Sequence, residues 1–179
     1  MPVSFAQIDY ADGTKTNPGI NQYIYMAPIS DILTIQKPTG SPSNYADSVT
    51  IATAHVMKTG KKFEKIYCIR DKGMLESKGL GGLKMKASET DLKIFIPGTK
   101  AELKGFYEFI KNRDLIILAP GRDGEIHQLG TEDLPCSLKE FSWKTGEKAG
   151  DDVGAEITFS ASGETPYTYA AAVPLTPGS

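Results

Sequence analysis

The chain has 179 residues, 40% hydrophobic and 23% charged, with a formal net charge of -2, enough length for one core that needs no staples. The slight acidity excludes a global electrostatic pull toward nucleic acid or anionic membrane. No apolar run approaches the roughly 20 residues that a membrane helix needs, so no membrane partner is expected.

The opening MPVSFAQIDYADGTKTNPG has neither the basic nor the apolar region of a signal peptide, and an aqueous, reducing compartment is expected. Its breakers, Asp12-Gly13 and Asn17-Pro18-Gly19, predict an N-terminal arm over residues 1–22. A domain over 23–162 follows, in which strand signals dominate. Asp31 to Gln36 carries Ile32, Leu33 and Ile35, and Lys37 to Ser43 is a loop by composition. Val49 to Met57 is rich in β-branched residues, and Phe63 to Ile69 includes Ile66 and Tyr67. A long connection is expected from Arg70 to Leu83. Leu83-Lys84-Met85-Lys86-Ala87 alternates as a half-buried strand does. Leu92 to Ile96 and Leu115 to Ala119 are apolar runs ended by Pro-Gly, and Arg122-Asp123-Gly124 predicts a hairpin into Glu125 to Leu129.

One segment departs from this period. Thr99-Lys100-Ala101-Glu102 reads as a capping box. Behind it Leu103, Phe106, Tyr107 and Ile110 make one helical stripe, so a helix is expected over about 99–112. Strands resume at Ser137 to Trp143. In Ala155 to Ala161 the residues Ala155, Ile157, Phe159 and Ala161 share one face. Residues 163–179, with Pro166, Pro174, Pro177 and Gly178, are expected to form a flexible C-terminal tail. The pattern as a whole is a mainly β fold, a β-sandwich or barrel flanked by one amphipathic α-helix.

The residues for catalysis are sparse. His55 and His127 are the two histidines, and no HxH, HxxxH or CxxC spacing accompanies them, so no metal site and no catalytic base are expected. Cys68 and Cys136 sit in apolar stretches and read as buried free thiols. Lys78-Gly79-Leu80-Gly81-Gly82 matches neither phosphate-loop pattern. The acidic groups Glu132-Asp133 and Asp151-Asp152 lie in loops. Lys139 to Lys144 interleaves aromatic and basic residues, which reads as a strand alternating between core and solvent rather than as a single-strand binder. No cofactor, no catalytic residue and no enzymatic activity are expected.

The order of these features carries a likeness. Thr59-Gly60-Lys61-Lys62-Phe63, Arg70-Asp71-Lys72-Gly73, Ile94 to Gly98, the helix from Thr99, Asn112 to Ile116, His127 to Gly130, Pro135-Cys136, Lys144-Thr145-Gly146 and Ala155 to Phe159 follow one another. This arrangement resembles tail-tube or major tail proteins of phages and prophages of the Bacteroides group, over roughly residues 49 to 161. The resemblance implies a virion structural protein made in the host bacterial cytoplasm. It implies subunits that close into rings, hexameric by expectation, and rings that stack into a tube through which genomic DNA passes without specific binding. The partners implied are the chain itself and other tail proteins: tail tip, terminator and tape measure.

Terminal arms and the long connection are the expected clasps between copies, with Phe5, Ile8, Tyr10, Met74, Leu75, Leu80, Tyr167 and Tyr169 as the assembly residues. The alternatives are a tube protein of a contractile injection or type VI-like device, a minor tail component, or a monomeric β-rich binding module.

Overall fold

A computed structural model describes residues 3–8 and 17–178, and the architecture is that of these residues. In chain order the first strands are Tyr23–Pro28 (β1), Ile32–Thr34 (β2), Thr50–Ile51 (β3), Val56–Met57 (β4) and Glu64–Tyr67 (β5). Met74–Leu80 (β6) and Ala87–Pro97 (β7) precede the helix Ala101–Ile110 (α1). Leu115–Pro120 (β8), Ile126–Leu129 (β9), Ser137–Lys144 (β10), Gly154–Gly163 (β11) and Tyr167–Tyr169 (β12) complete the order. The fold is mainly β with a single helix among the described residues.

Every residue of β8 is buried, and the reason is its place. It lies inside the six-stranded sheet ordered β3-β12-β9-β8-β1-β5, which is covered on both faces. Strand side chains alternate between faces, so Leu115, Ile117 and Ala119 enter one core while Ile116 and Leu118 enter another. An uninterrupted apolar run is what a strand buried on both sides requires.

The first core lies between this sheet and a four-stranded antiparallel sheet ordered β10-β11-β7-β6. Leu92 and Ile94 of β7 and Ala155, Ile157 and Phe159 of β11 face it. The alternation read in β11 is therefore its inward face. Two backbone links join the sheets: Ile69 N–H donates to Phe95 O at 2.8 Å, and Leu115 and Cys136 exchange bonds of 2.8 and 3.0 Å. The second core packs Ile51, Phe63, Ile116, Leu118 and Tyr169 with Ile32 and Met57 of the two-stranded β2-β4 sheet.

Helix α1 turns Leu103 and Ile110 into the first core. Phe106 and Tyr107 of the same stripe are half-buried, and Tyr107 stacks on Phe141 of β10 with ring centroids 4.1 Å apart. The capping box does not form. Lys100, not Thr99, is the N-cap, and no side chain caps the helix. Thr99 and Glu102 thus stand one position too early for reciprocal bonds, although Glu102 still complements the helix dipole. The helix also stops at Ile110, short of 112, where Arg113 Nε donates to Phe109 O at 2.9 Å.

Three further expectations are corrected. The segment read as a long connection from Arg70 to Leu83 contains β6, which pairs with β7 from Met74↔Lys93 to Leu80↔Ala87. Conversely, Leu83 to Lys86 is no strand: Leu83 and Met85 are 88% and 76% exposed at the tip of the β6–β7 hairpin. Gly81 turns there with a φ of 102°, and a Cβ on it would stand 2.1 Å from Met85 O.

The C-terminal stretch is bound rather than loose. β12 lies between β3 and β9, Phe63 N–H donates to Pro174 O, and Gly60 and Gly178 are joined by Gly60 N–H donating to Gly178 O. Its prolines and glycines break regular structure without breaking the hydrogen bonds.

Candidate assembly surfaces

The residues singled out as assembly contacts do not converge on one surface. Phe5 is fully exposed and Ile8 is 85% exposed on the segment 3–8, where Ala6 N–H donates to Tyr45 Oη at 2.8 Å. Tyr10 lies outside the described residues. Met74 and Leu80 are about half exposed on β6, whereas Leu75 turns inward opposite Leu92 and packs against the first core. Tyr167 is half-buried.

Tyr169, expected at an interface, is 1% exposed and belongs to the chain's own second core. Its ring lies 4.8 Å from that of His55, and its hydroxyl accepts from His55 N–H at 3.0 Å.

His55 is held on both ring nitrogens. Gln36 N–H donates to Nδ1 at 3.0 Å, and Nε2 lies 2.8 Å from Gln128 Oε1. Nδ1 must accept from a backbone amide, so the proton is on Nε2. Burial holds this imidazole below the usual histidine range, against the opposing hydrogen bond to Gln128. Gln128 also donates to Gly130 O at 3.1 Å. The network ties residues 36, 55, 128 and 169 together, with no nucleophile in it. His127 sits on β9 opposite Ala119 and Thr168. Burial pushes the Cys68 thiol up to about 11, and burial with the Asp91 charge pushes Cys136 up to about 12. Both are free and inert as nucleophiles at neutral pH. Among the described residues no three metal-ligating side chains cluster, and no helix is long and apolar enough to cross a membrane.

The four-stranded sheet has two outer edges among the described residues. β6 and β10 are the two outer strands of the four-stranded sheet, seven and eight residues long. Each successive pair in that sheet is antiparallel, so β10 and β6 run in opposite directions. The inward side chains of these edge strands, Leu75, Leu138, Phe141 and Trp143, are half-buried against the first core.

The outward face of the same sheet is mostly charged, with Met74, Leu80 and the buried Phe95 also on it. Carboxylates of Glu76, Glu89, Asp91, Glu140 and Glu156 stand on it with the ammonium groups of Lys78, Lys93, Lys139 and Lys144. Lys139 Nζ lies 3.1 Å from Glu89 and 2.8 Å from Asp91, and Lys93 lies 2.8 Å from Glu156. Burial works against the Asp91 charge, yet hydrogen bonds from Lys139 and Ser160 and the nearby lysines hold it below the usual carboxylate range.

No protein-family model matches the sequence, and neither a curated protein nor a solved structure matches it.

The antiparallel relation of β10 to β6 could not be found from the sequence. It is a property of strand order, and β6 itself, MLESKGL, shows none of the apolar alternation by which strands are found.

Proposed function

We propose that this protein is a self-assembling structural subunit, a phage tail-tube protein whose copies close into rings that stack around a DNA conduit. The observation that carries the reading is the pair of edges β6 and β10. Laid beside β6 of the next copy, β10 continues the antiparallel order of the sheet. The joint is head-to-tail, using two different edges of one subunit, and such joints close into rings or run on as filaments. Unpaired edges are a liability in a monomer, and here pairing them also covers the half-buried Leu75, Leu138, Phe141 and Trp143.

The outward face of that sheet suits a lumen. Five carboxylates against four lysines, several of them paired with each other, leave a polar surface with little net charge to grip a phosphate backbone. The resemblance of residues 49 to 161 to tail-tube proteins supports the same reading.

Negative-stain electron microscopy of the purified protein over a concentration series is the test. Rings or hollow filaments of uniform width are expected. Featureless single subunits at every concentration would overturn the reading and leave a monomeric binding module.

A further inference from the structure

Residues 17–22 run between two parts of the molecule and are bonded to both. On one side Asn21 N–H donates to Pro120 O at 2.8 Å and Arg122 N–H donates to Gly19 O at 3.1 Å, which lays the segment along the turn after β8. On the other side Cys68 N–H donates to Gln22 O at 2.9 Å, which lays it along the continuation of β5. Each neighbour carries an arginine just past its strand, Arg122 after β8 and Arg70 after β5. Both arginines line one cavity of 540 Å3, together with Asn17, Asn21, Gln22 and Tyr23.

The two arginines differ. Arg122 is held: its Nη1 lies 2.8 Å from Asp71 Oδ1 and donates to Pro18 O at 3.4 Å, and its side chain is 22% exposed. Asp71 takes its part in a left-handed conformation, at a φ of 65°, which costs a residue with a side chain some strain. A guanidinium has five N–H donors, so the Nε and Nη2 groups of Arg122 remain for a further acceptor. Arg70 is exposed, and its guanidinium has no ion-pair partner among the described residues.

Lys65 adds a third cation. Its Nζ lies 3.9 Å above the ring of Tyr23, which forms one wall of the cavity. Asp71 is the one carboxylate paired with any of the three among the described residues. The chain as a whole carries a formal charge of -2, so this concentration of positive charge is local, and it favours an anion there.

The donors also say which anion. One arginine fork suffices for a carboxylate. Two forks brought in from different strands, with an ammonium beside them, suit a group whose oxygens are more numerous and spread tetrahedrally. Tyr67, 54% exposed, stands opposite Tyr23 in the register and offers a ring to a base attached to such a group.

We propose that the cavity between the β8–β9 turn and the end of β5 binds a phosphate group, with Arg70 and Arg122 as its guanidinium donors. The phosphate belongs to a single nucleic-acid strand or is free in solution, and the two sources are separated by experiment. The proposal stands apart from the assembly reading, since the cavity belongs to the six-stranded sheet and not to the β10–β6 joint.

The test uses the full chain in two arms. In the first, fluorescence anisotropy follows a short labelled oligothymidine over a salt series. Arg70→Ala is expected to weaken binding about tenfold, the loss of one charge-assisted contact. It should also lower the slope of log K against log salt by about 0.7. Lys84→Ala, which removes an exposed lysine at the hairpin tip, should change neither. In the second arm, inorganic phosphate replaces chloride at equal ionic strength and the melting temperature is read. Arg70 is exposed, so its replacement is expected to leave the fold intact.

Strand binding that depends on Arg70 assigns the site to nucleic acid. A rise in melting temperature with inorganic phosphate that Arg70→Ala abolishes, without strand binding, assigns it to free phosphate. The same rise with acetate overturns phosphate in favour of a carboxylate. Neither response, or responses that Arg70→Ala and Lys84→Ala change alike, overturns the site.

Discussion

Nδ1 of His55 accepts the backbone N–H of Gln36 at 3.0 Å, so protonating this ring breaks a bond between two segments of the second core. Burial lowers the folded-state pKa beneath the ordinary value of 6.5. Between those two values the unfolded chain binds a proton that the folded chain refuses, so stability rises with pH there. The contribution is fully present above pH 6.5 and is lost as pH falls through the folded value. Urea unfolding from pH 8 to pH 5 should show wild type losing stability faster than His55→Gln, by up to about 1.4 kcal/mol per pH unit for one proton. Equal slopes would mean that His55 does not titrate differently on folding.

Gly130 sits at a φ of 84°, and a Cβ there would stand 2.6 Å from Cys136 N and 2.9 Å from Leu115 O. Those two atoms belong to the reciprocal link between the sheets. Gly130→Ala should therefore cost about 2 kcal/mol or more, since both backbone strain and a steric clash oppose it. Chemical denaturation measures the loss, and a change within about 0.5 kcal/mol would show that the link yields freely.

The helix stripe should divide in energy as it does in burial. Ile110 is fully buried, whereas Phe106 is half-buried. Ile110→Ala is expected to cost about 2–5 kcal/mol. Phe106→Ala should cost less despite its larger side chain, because part of that ring already meets solvent. The reverse order in denaturant midpoints would place the helix wrongly on the core.

The two ends of the chain should behave oppositely on truncation. Removing residues 1–16 leaves Asn17 and Gly19 on their contacts with Arg122, so a folded subunit that no longer forms long polymers is expected. Undiminished polymer growth would argue against the arm as a clasp. Tyr169→Ala, by contrast, empties a fully buried site and should cost about 3–5 kcal/mol. Circular dichroism melts separate the two cases.

What could be read from the sequence was local. The faces of β11, the apolar run of β8, the helical stripe and the turn at Asp123-Gly124 each show themselves within a few residues, through period or turn chemistry. β6 is not legible locally, because Glu76, Ser77, Lys78 and Gly79 blur any alternation in an edge strand. Leu83 and Met85 alternate without a sheet to receive them. β12 was hidden by the prolines around it, and its partner β3 lies far earlier in the chain. The exposure of Met74 and Leu80 follows from the edge position of β6, and the burial of Tyr169 follows from pairing that no local pattern records.

The placement of β12 between β3 and β9 also bears on when the subunit can exist. A nascent chain still short of Tyr167–Tyr169 lacks the strand that joins β3 to β9, and Ile51 and Phe63 lack Tyr169 among their second-core neighbours. Non-local pairings of this kind close late. Pairing of β12 with β3, far earlier in the chain, is therefore expected among the last steps of folding.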